Sequence, residues 1–528
     1  MSPKFNTTTA RPAVTSPVKT ERVATGRTHE GGAGFARDAK SELFLLAVTN
    51  MVSENTYYEK GSDRDARFVG LVRTVAVEDF DWLSRFLPWL RTEANMRSAP
   101  IQAALEAVHA RLASGIAGGN RQLVASVLQR ADEPAEALAY WTSRYGRAIP
   151  KPVKRGIGDA ILRLGSEFNY VKWDSEGKGF SFADLLNLTH PGDRKGSSQA
   201  GRFQGPWQHD LFGYIVKKPH GKDLPIPQTL GLLTRRQALL DLPVDERRHI
   251  LENPELLRRA GITWEALAGW LQGPMDKTAW EAIIPSMGLM ALTRNLRNFD
   301  QAGVSDVVAT TVTARMTDPE EVRKSRQFPF RFLAAYKHAP SLRWAYPLEV
   351  ALGHSLANVP VLGGRTLILV DRSGSMFDRM SEKSGLNRAD SAAVFGAALA
   401  LRAENADLVQ FGTGSQVVDF RKGESVLRVV ERFGSMGGTN TTAAVRHHYA
   451  SHDRVVIVTD EQAHFSYGGN PTAQVPERVP VYTWNLAGHK YGHGPSGADN
   501  RHTFGGLSDA AFKLIPLLEA RRSASWPF

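Results

Sequence analysis

The sequence of 528 residues contains no cysteine. This absence excludes disulfide bonds, cysteine-ligated zinc and iron–sulfur clusters, and it favours a reducing, cytoplasmic location. The sequence also lacks an uninterrupted apolar run long enough to cross a bilayer. Its first residues lack the apolar centre of a signal peptide. We therefore expect a protein with no membrane association, and we expect it to be a monomer.

Positive charge exceeds negative charge, with 65 Lys+Arg against 54 Asp+Glu and a net charge of +11. Residues 361–528 hold 18 of these cationic and 16 of these acidic residues, so about nine of the net positive charges lie in residues 1–360. A basic segment of this size favours a polyanionic partner such as nucleic acid.

The chain divides into three segments that differ in composition and in the spacing of apolar residues. Residues 1–35 are rich in Thr, Pro and charge, which predicts a disordered basic tail. In residues 36–360 the apolar spacing is helical, as in IQAALEAVHARL (101–112) and VKRGIGDAILRL (153–164), which predicts an irregular α-solenoid or a helical bundle. From residue 361 onward, strand-like and helical segments alternate, which predicts a doubly wound α/β domain with a largely parallel sheet.

Four segments of residues 361–528 have the β-branched, apolar composition of buried strands. They are 366–370, 407–412, 454–460 and 479–486. Helices are expected at 390–403, 425–433, 440–450 and 509–520. The overall fold class is therefore α followed by α/β.

Oxygen-bearing side chains follow three of the predicted strands. In LILVDRSGSM, Asp371 ends a strand and Ser373 and Ser375 follow it; MGGTNTT carries Thr439, and VIVTDEQ ends at Asp460. Carboxyl ends of parallel strands meet at one edge of a sheet. Carboxylate and hydroxyl oxygens suit hard cations, so we expect a divalent metal site, most simply for Mg²⁺, with Ca²⁺ or Mn²⁺ as alternatives. A helix cap made of Ser and Asp is the structural alternative.

This D-x-S-x-S…T…D pattern resembles the metal-ion-dependent adhesion site of von Willebrand factor A domains. The resemblance implies that Ser373, Ser375 and Thr439 ligate the metal, whereas Asp371 and Asp460 act directly or through water. It also implies that an acidic side chain of a protein partner completes the coordination.

Five upstream stretches resemble the TROVE domain of the Ro autoantigen family, in the order of that family. They are NTYYEKG (55–61), GRAIPKPVKRGIGDAI (146–161), DLLNLTHP (184–191), WEAIIPSMGLMALTRNLRN (280–298) and FPFRFLAAYK (328–337). The resemblance implies a ring of HEAT-like helical repeats followed by the von Willebrand A domain. It further implies binding of small non-coding (Y-like) RNA and of single-stranded ends of misfolded RNA. An exoribonuclease is a candidate protein partner.

The candidate RNA contacts are basic residues and one histidine of the helical segment. Cations at the amino end of a helix suit phosphate, and cations interleaved with aromatic residues suit single-stranded RNA. The candidates are Arg144, Arg147, Lys151, Lys154, Arg155, Lys172, His190, Arg194, Lys195, Lys217 and Lys218. The alternatives are a flexible basic loop over core aromatic residues and, for His190, a buried histidine that ends a helix.

Two other functions are alternatives to RNA binding. A Mg²⁺-dependent phosphatase or nuclease is disfavoured because the sequence has no Walker A, G-x-S-x-G or H-E-x-x-H motif, and we expect no catalysis. The second rival is a metal-dependent protein–protein adaptor whose helices do not bind RNA. His489, His493 and His502 lie in a Gly/Pro/Ser-rich setting that predicts a surface loop rather than a metal site.

Overall fold

The computed structural model describes residues 14–174, 179–192, 203–220, 224–339, 341–381, 384–466 and 468–528. The chain divides into two compact units. The sheet unit comprises Met1–Phe68 and Leu356–Phe528, and the helical unit comprises Val69–Ser355. No helix of the described residues combines the length and the apolar content needed to span a membrane.

The first segment of the sheet unit contains a small antiparallel ribbon and the first helix. The elements are β1 (Gly26–Arg27), β2 (Ala33–Gly34) and α1 (Ala39–Thr49), and α2 (Gly61–Glu78) begins in this segment. Asp38 caps α1 by accepting a hydrogen bond from the backbone N–H of Ser41.

The helical unit is built from consecutive helices, as its apolar spacing predicts. After α2, the helices are α3 (Phe80–Thr92), α4 (Ser98–Ala113), α5 (Asn120–Val127), α6 (Glu133–Tyr145), α7 (Lys151–Leu164), α8 (Glu167–Trp173), α9 (Phe182–Thr189), α10 (Pro206–Lys217), α11 (Gly231–Leu240), α12 (Pro254–Arg259), α13 (Trp264–Trp270), α14 (Lys277–Ile283), α15 (Leu289–Gln301), α16 (Asp306–Met316), α17 (Pro319–Ser325), α18 (Pro329–His338) and α19 (Ala345–Ser355). In α7, Pro152 occupies the first turn, where proline is tolerated, and Val153, Ile157 and Ile161 form the buried stripe.

The second segment of the sheet unit alternates strands and helices. Its elements are β3 (Arg365–Asp371), β4 (Arg379–Ser381), β5 (Ser384–Asn387), α20 (Arg388–Arg402), β6 (Asn405–Phe411), β7 (Ser415–Val417), α21 (Val426–Val430), α22 (Thr441–His448), β8 (Arg454–Thr459), β9 (Val481–Asn485), β10 (Arg501–Gly505) and α23 (Leu514–Glu519). The main sheet has six strands in the order β10-β9-β8-β3-β6-β7. All neighbours pair in parallel except β6 and β7. The predicted α and α/β class is confirmed.

Helices cover both faces of this sheet. Leu367 and Leu369 of β3 pack in one core cluster with Ala444 and Val445 of α22. Successive residues of a strand point to opposite faces, so Val370 faces the other side. There, Gly396 of α20 lies so close that an added Cβ would sit 2.3 Å from Val370 Cγ2. Burial on both faces explains why these strands read as continuous apolar runs.

All four predicted strands form, and two further strands of the main sheet were missed. β7 is short and β10 contains polar residues, so neither has the apolar composition on which strand prediction relies. The helix expected at 509–520 begins as a 3₁₀ turn (Ala510–Lys513) before α23.

The prediction of a disordered tail up to residue 35 is wrong for residues 14–35, while residues 1–13 lie outside the described range. Val18 is fully buried and Phe35 is 4% exposed. Backbone bridges join Gly31 to His464 and Phe35 to Gly492. Residues 36–68 were also assigned to the helical domain, whereas the structure places them in the sheet unit. Composition missed this because the segment is ordered by contacts more than 400 residues away in sequence.

Candidate metal centre and RNA-contact surfaces

The candidate metal centre lies at the carboxyl edge of the sheet, where β3 ends at Asp371. One carboxylate oxygen of Asp371 accepts a hydrogen bond of 2.9 Å from the backbone N–H of Ser373. The other accepts one of 2.6 Å from the hydroxyl of Thr459, the last residue of β8. Asp371 therefore ties together the ends of two neighbouring parallel strands.

A chain of side-chain hydrogen bonds links the two serines to Asp460. The hydroxyls of Ser373 and Ser375 lie 3.2 Å apart, and the Ser375 hydroxyl donates to Asp460 over 2.7 Å. Asp371 holds the backbone N–H of Ser373, and Asp460 holds the hydroxyl of Ser375.

Thr439 reaches the same edge through backbone contacts of its Gly-rich turn. Gly374 donates a backbone hydrogen bond of 2.6 Å to the carbonyl of Gly437. The carbonyl of Thr439 accepts one of 3.1 Å from the backbone N–H of His464, in the loop after Asp460. The three sequence segments predicted to converge thus do converge. All five predicted metal residues are almost completely buried: Asp371, Ser373, Ser375, Thr439 and Asp460.

The electrostatics of this edge favour a cation. Burial and, after it, repulsion from the neighbouring Asp460 together raise the pKa of Asp371 to about 7. Asp371 and Asp460 therefore lie close to the hydroxyls of Ser373, Ser375 and Thr459 in a site with little solvent exposure. A hard divalent ion would offset the repulsion, and its ligands would all be oxygens. The donor set fits such an ion, with the serine and threonine hydroxyls as neutral ligands.

Purely carboxylate or histidine metal sites do not occur elsewhere in the described residues. No group of three or more His, Asp or Glu side chains there could hold a metal. The histidines predicted to lie in a surface loop are in fact buried: His489, His493 and His502 are each 2% exposed or less. His489 contacts Glu59 over 3.0 Å, and His502 contacts the Ser16 hydroxyl over 2.9 Å. Sequence composition suggested a loop because it could not reveal these partners.

The candidate RNA contacts around the start of α7 are exposed, as predicted. Lys151 is the first residue of the helix, and no side chain caps its amino end. Lys151, Arg155 and Arg147 are exposed, and Lys154 is partly exposed. Arg144 differs, because its guanidinium forms a 2.6 Å ion pair with the buried Glu106. This ion pair neutralises part of the positive charge of Arg144 within the protein. Glu106 also accepts hydrogen bonds from Tyr140 and Tyr145.

The other candidates fall on a second part of the helical unit. His190 and Lys217 line a cavity of about 490 Å³ together with Phe203. The structural alternative for His190 was a buried histidine that ends a helix. His190 does end α9, in a left-handed conformation, but its side chain is exposed. Arg194 and Lys195 lie outside the described residues.

Lys172 and Lys218 lie over aromatic rings. The Lys172 ammonium is 4.9 Å from the ring centre of Trp173, and that of Lys218 is 5.7 Å from Tyr170. Tyr170 and Tyr214 are less than 9% exposed and belong to the core, so they cannot stack on RNA bases.

Sequence reasoning missed a cationic pocket between α15 and α18. Its cavity of about 190 Å³ is lined by Arg294, Arg297, Arg331 and His338, among others. Within the described part of the chain, none of these three arginines has an acidic partner. The pKa of Arg331 is lowered by desolvation and by the neighbouring Arg294. The arginines lie on two helices, three residues apart on α15, and this i, i+3 spacing was the signal that could have revealed them.

Comparisons with known proteins agree with this architecture. The crystal structure of the Ro (RSR) protein of Deinococcus radiodurans matches with a TM-score of 0.59 and 16% identity, covering 91% of this chain and 99% of that chain. At this identity the match establishes the fold. The RNA-binding protein RO60 of Caenorhabditis elegans is 26% identical over 246 residues, which is 39% of this chain and 38% of that protein. The sequence model of the TROVE domain matches residues 258–343.

The chain is related to the Ro autoantigen family.

The TROVE match covers only some of the candidate residues. The TROVE match of residues 258–343 includes the arginine pocket between α15 and α18. The start of α7 and the candidate metal centre lie outside that matched segment. The match to the C. elegans Ro protein spans well under two thirds of that protein's length.

Proposed function

We propose that the chain is an RNA-binding protein of the Ro type that does not itself catalyse a reaction. The observation that carries this proposal is the arginine pocket of the helical unit, because three cations that have no acidic partner among the described residues favour a polyanionic ligand. The pocket lies within the segment that the TROVE model matches, and the relative from C. elegans is named an RNA-binding protein.

The RNA we propose is a small structured non-coding RNA of the Y type, together with single-stranded ends of misfolded RNA. The exposed cations at the start of α7 suit the phosphates of a structured RNA. The arginine pocket suits the phosphates of a single strand, which is more flexible than a structured RNA. These activities fit a role in RNA quality control in the cytoplasm.

The sheet unit would add a metal-dependent contact with a protein. Ser373, Ser375 and Thr439 would ligate Mg²⁺, and Asp371 and Asp460 would hold them in place or bind the ion directly. When bound, the ion would supply a positive charge that attracts a carboxylate. The proposed partner carries an acidic side chain, as an exoribonuclease recruited to the bound RNA could.

A protein adaptor that does not bind RNA is the second candidate, and the oxygen-only donor set at the sheet edge favours it. The two functions differ in the role of the helical unit. In the adaptor, the arginine pocket would have no RNA ligand, and the chain would bind RNA no better than a neutral control protein does.

Fluorescence anisotropy with a labelled RNA hairpin that carries a single-stranded 3′ tail tests the proposal. We expect binding that weakens steeply with salt. The double variant Arg294→Gln, Arg331→Gln should bind about tenfold more weakly or worse, which corresponds to at least ~1.4 kcal/mol. The matched control, Arg421→Gln with Arg428→Gln, removes two exposed charges of the sheet unit and should leave affinity unchanged.

One result would refute RNA binding, and another would refute the arginine pocket as its site. If the wild-type chain binds this RNA no better than a neutral control protein at low salt, the proposal fails and the adaptor is favoured. If RNA binds but the arginine variant equals the wild type, the pocket is not the RNA site.

A further inference from the structure

The segment before α1 lies directly on the loop that follows Asp460. The Thr28 hydroxyl donates to the carbonyl of Ala463 over 2.7 Å, and the backbone N–H of His29 donates to the side chain of Gln462 over 2.8 Å. Gly31 forms a backbone bridge with His464. We call residues 28–31 the N-terminal strap. Its contacts cover three consecutive residues of the loop, starting two positions after a candidate metal residue.

The strap carries one carboxylate, that of Glu30, to this edge of the sheet. Glu30 accepts a hydrogen bond of 2.6 Å from the Tyr58 hydroxyl and lies 3.3 Å from the Nε2 atom of His464. The Tyr58 hydroxyl also lies near Ser375 and Asp460, both of which influence its pKa. Tyr58 is therefore close both to the Glu30 carboxylate and to the candidate metal centre.

Neighbouring aromatic rings fix the position of Tyr58. Its ring stacks on His29 with a centroid distance of 4.8 Å and meets the edge of His489 at 5.6 Å. A tyrosine hydroxyl is protonated at neutral pH. Tyr58 thus offers a neutral oxygen at a defined position, like the serine and threonine hydroxyls.

We propose that Glu30 and Tyr58 complete the candidate metal centre from within the chain, with Glu30 supplying the carboxylate that a partner protein would otherwise provide. The inference rests on the metal centre proposed above. Glu30 would balance the charge of the ion through Tyr58 or through a bound water, and a partner's acidic side chain would have to displace it.

The composition of the site supports a role for Glu30 beyond its ion pair with His464. The predicted ligands include three neutral hydroxyls, so a bound divalent ion retains positive charge that a further carboxylate would stabilise. The Glu30–His464 pair alone would contribute little, because the His464 side chain is 44% exposed. The hydrogen bond from Tyr58 is the contact that directs Glu30 toward the metal residues.

Titration of the full chain with Mn²⁺, followed by electron paramagnetic resonance, tests this inference. Partners that hold a metal ligand in place typically change affinity by about 10- to 100-fold. We expect Glu30→Gln to weaken Mn²⁺ binding by about tenfold and Tyr58→Phe to weaken it severalfold. The control Glu21→Gln removes an exposed carboxylate of the same segment and should leave the affinity unchanged. Added acetate should restore Mn²⁺ binding to Glu30→Gln, because a free carboxylate can take the vacated place.

The outcomes separate this inference from the proposal on which it rests. If the wild-type chain fails to bind Mn²⁺, the metal centre itself is wrong. If the wild-type chain binds Mn²⁺, Asp371→Asn does not, and Glu30→Gln equals the wild type, the metal centre stands and the role of Glu30 is refuted. Circular dichroism of each variant shows whether a loss reflects misfolding, and restoration by acetate requires a folded site.

Discussion

The hydroxyl of Ser375 donates a 2.7 Å hydrogen bond to the carboxylate of Asp460, which lies 85 residues further along the chain. Ser375 follows β3 and Asp460 follows β8, and these two strands are parallel neighbours in the sheet. The bond therefore joins two strand ends that the sequence separates and the topology brings together. It defines the edge at which a metal would bind.

Replacing Asp371 should abolish divalent metal binding and leave RNA binding intact. Asp371→Asn keeps the volume of the side chain but removes the charge that would hold the ion. Isothermal titration with Mg²⁺ or Mn²⁺ measures the first effect, and anisotropy with the labelled RNA measures the second. Mn²⁺ binding of wild-type affinity in this variant would mean that the sheet edge holds only a helix cap.

Removing the cations at the start of α7 should weaken RNA binding without destabilising the protein. The variant Lys151→Ala, Lys154→Ala, Arg155→Ala alters side chains that are at least partly exposed, so the free energy of unfolding should change by less than about 1 kcal/mol. The salt dependence of RNA affinity should become shallower, because fewer phosphates are neutralised. A variant that removes Arg421, Lys422 and Arg428 from the sheet unit is the charge-matched control. Equal affinities for the two variants would rule out this cluster as a contact.

The burial of Phe35 predicts that the N-terminal segment stabilises the sheet unit. Phe35→Ala should lower the free energy of unfolding by about 3 kcal/mol, since the side chain is 4% exposed and large-to-small changes in a core leave a cavity. Val23→Ala, at a position 73% exposed, should have almost no effect. Urea unfolding monitored by tryptophan fluorescence compares the two. A negligible effect of Phe35→Ala would indicate that the segment is dispensable for stability.

The buried His502 should make the folded protein less stable in mild acid. Burial lowers its pKa from 6.5 to about 4, and nearby Arg501 contributes to the shift. As the pH falls below about 6.5, the unfolded chain takes up a proton that the folded chain refuses. The contribution of His502 is therefore fully present above pH 6.5 and is lost as the pH falls toward 4, by an amount approaching about 3 kcal/mol.

Thermal unfolding between pH 4 and 7 measures this effect. His502→Gln should show a flatter pH dependence than the wild type, whatever its stability at neutral pH. His249→Gln serves as the control, because the His249 side chain is 78% exposed. An unchanged slope in His502→Gln would exclude this histidine as a source of acid sensitivity.

The sequence predicted the elements whose physical causes are local. The strands β3 and β8 are continuous apolar runs because both faces of the sheet are covered, and such runs are visible in a sequence. The convergence of Asp371, Ser375 and Asp460 followed from a general property of parallel sheets, in which strand ends share an edge.

Other features depend on contacts that no local pattern encodes. Glu30 and Tyr58 reach the sheet edge only because the N-terminal segment packs against residues more than 400 positions away. The composition of that segment resembles a disordered tail, and its order comes from its partners. The arginines of the pocket between α15 and α18 likewise meet only when the two helices pack together.

The packing of residues 14–68 with residues 356–528 has a consequence for synthesis on the ribosome. Thr28 bonds to Ala463, which the ribosome adds 435 residues later. At about 5–20 residues per second, roughly 20 to 90 s separate the two. During that interval the helical unit is synthesised, and the N-terminal segment, which includes Val18 and Phe35, lacks the residues against which it packs. A chaperone that shields emerging apolar segments would therefore have its greatest effect on this protein early in translation, long before the sheet can form.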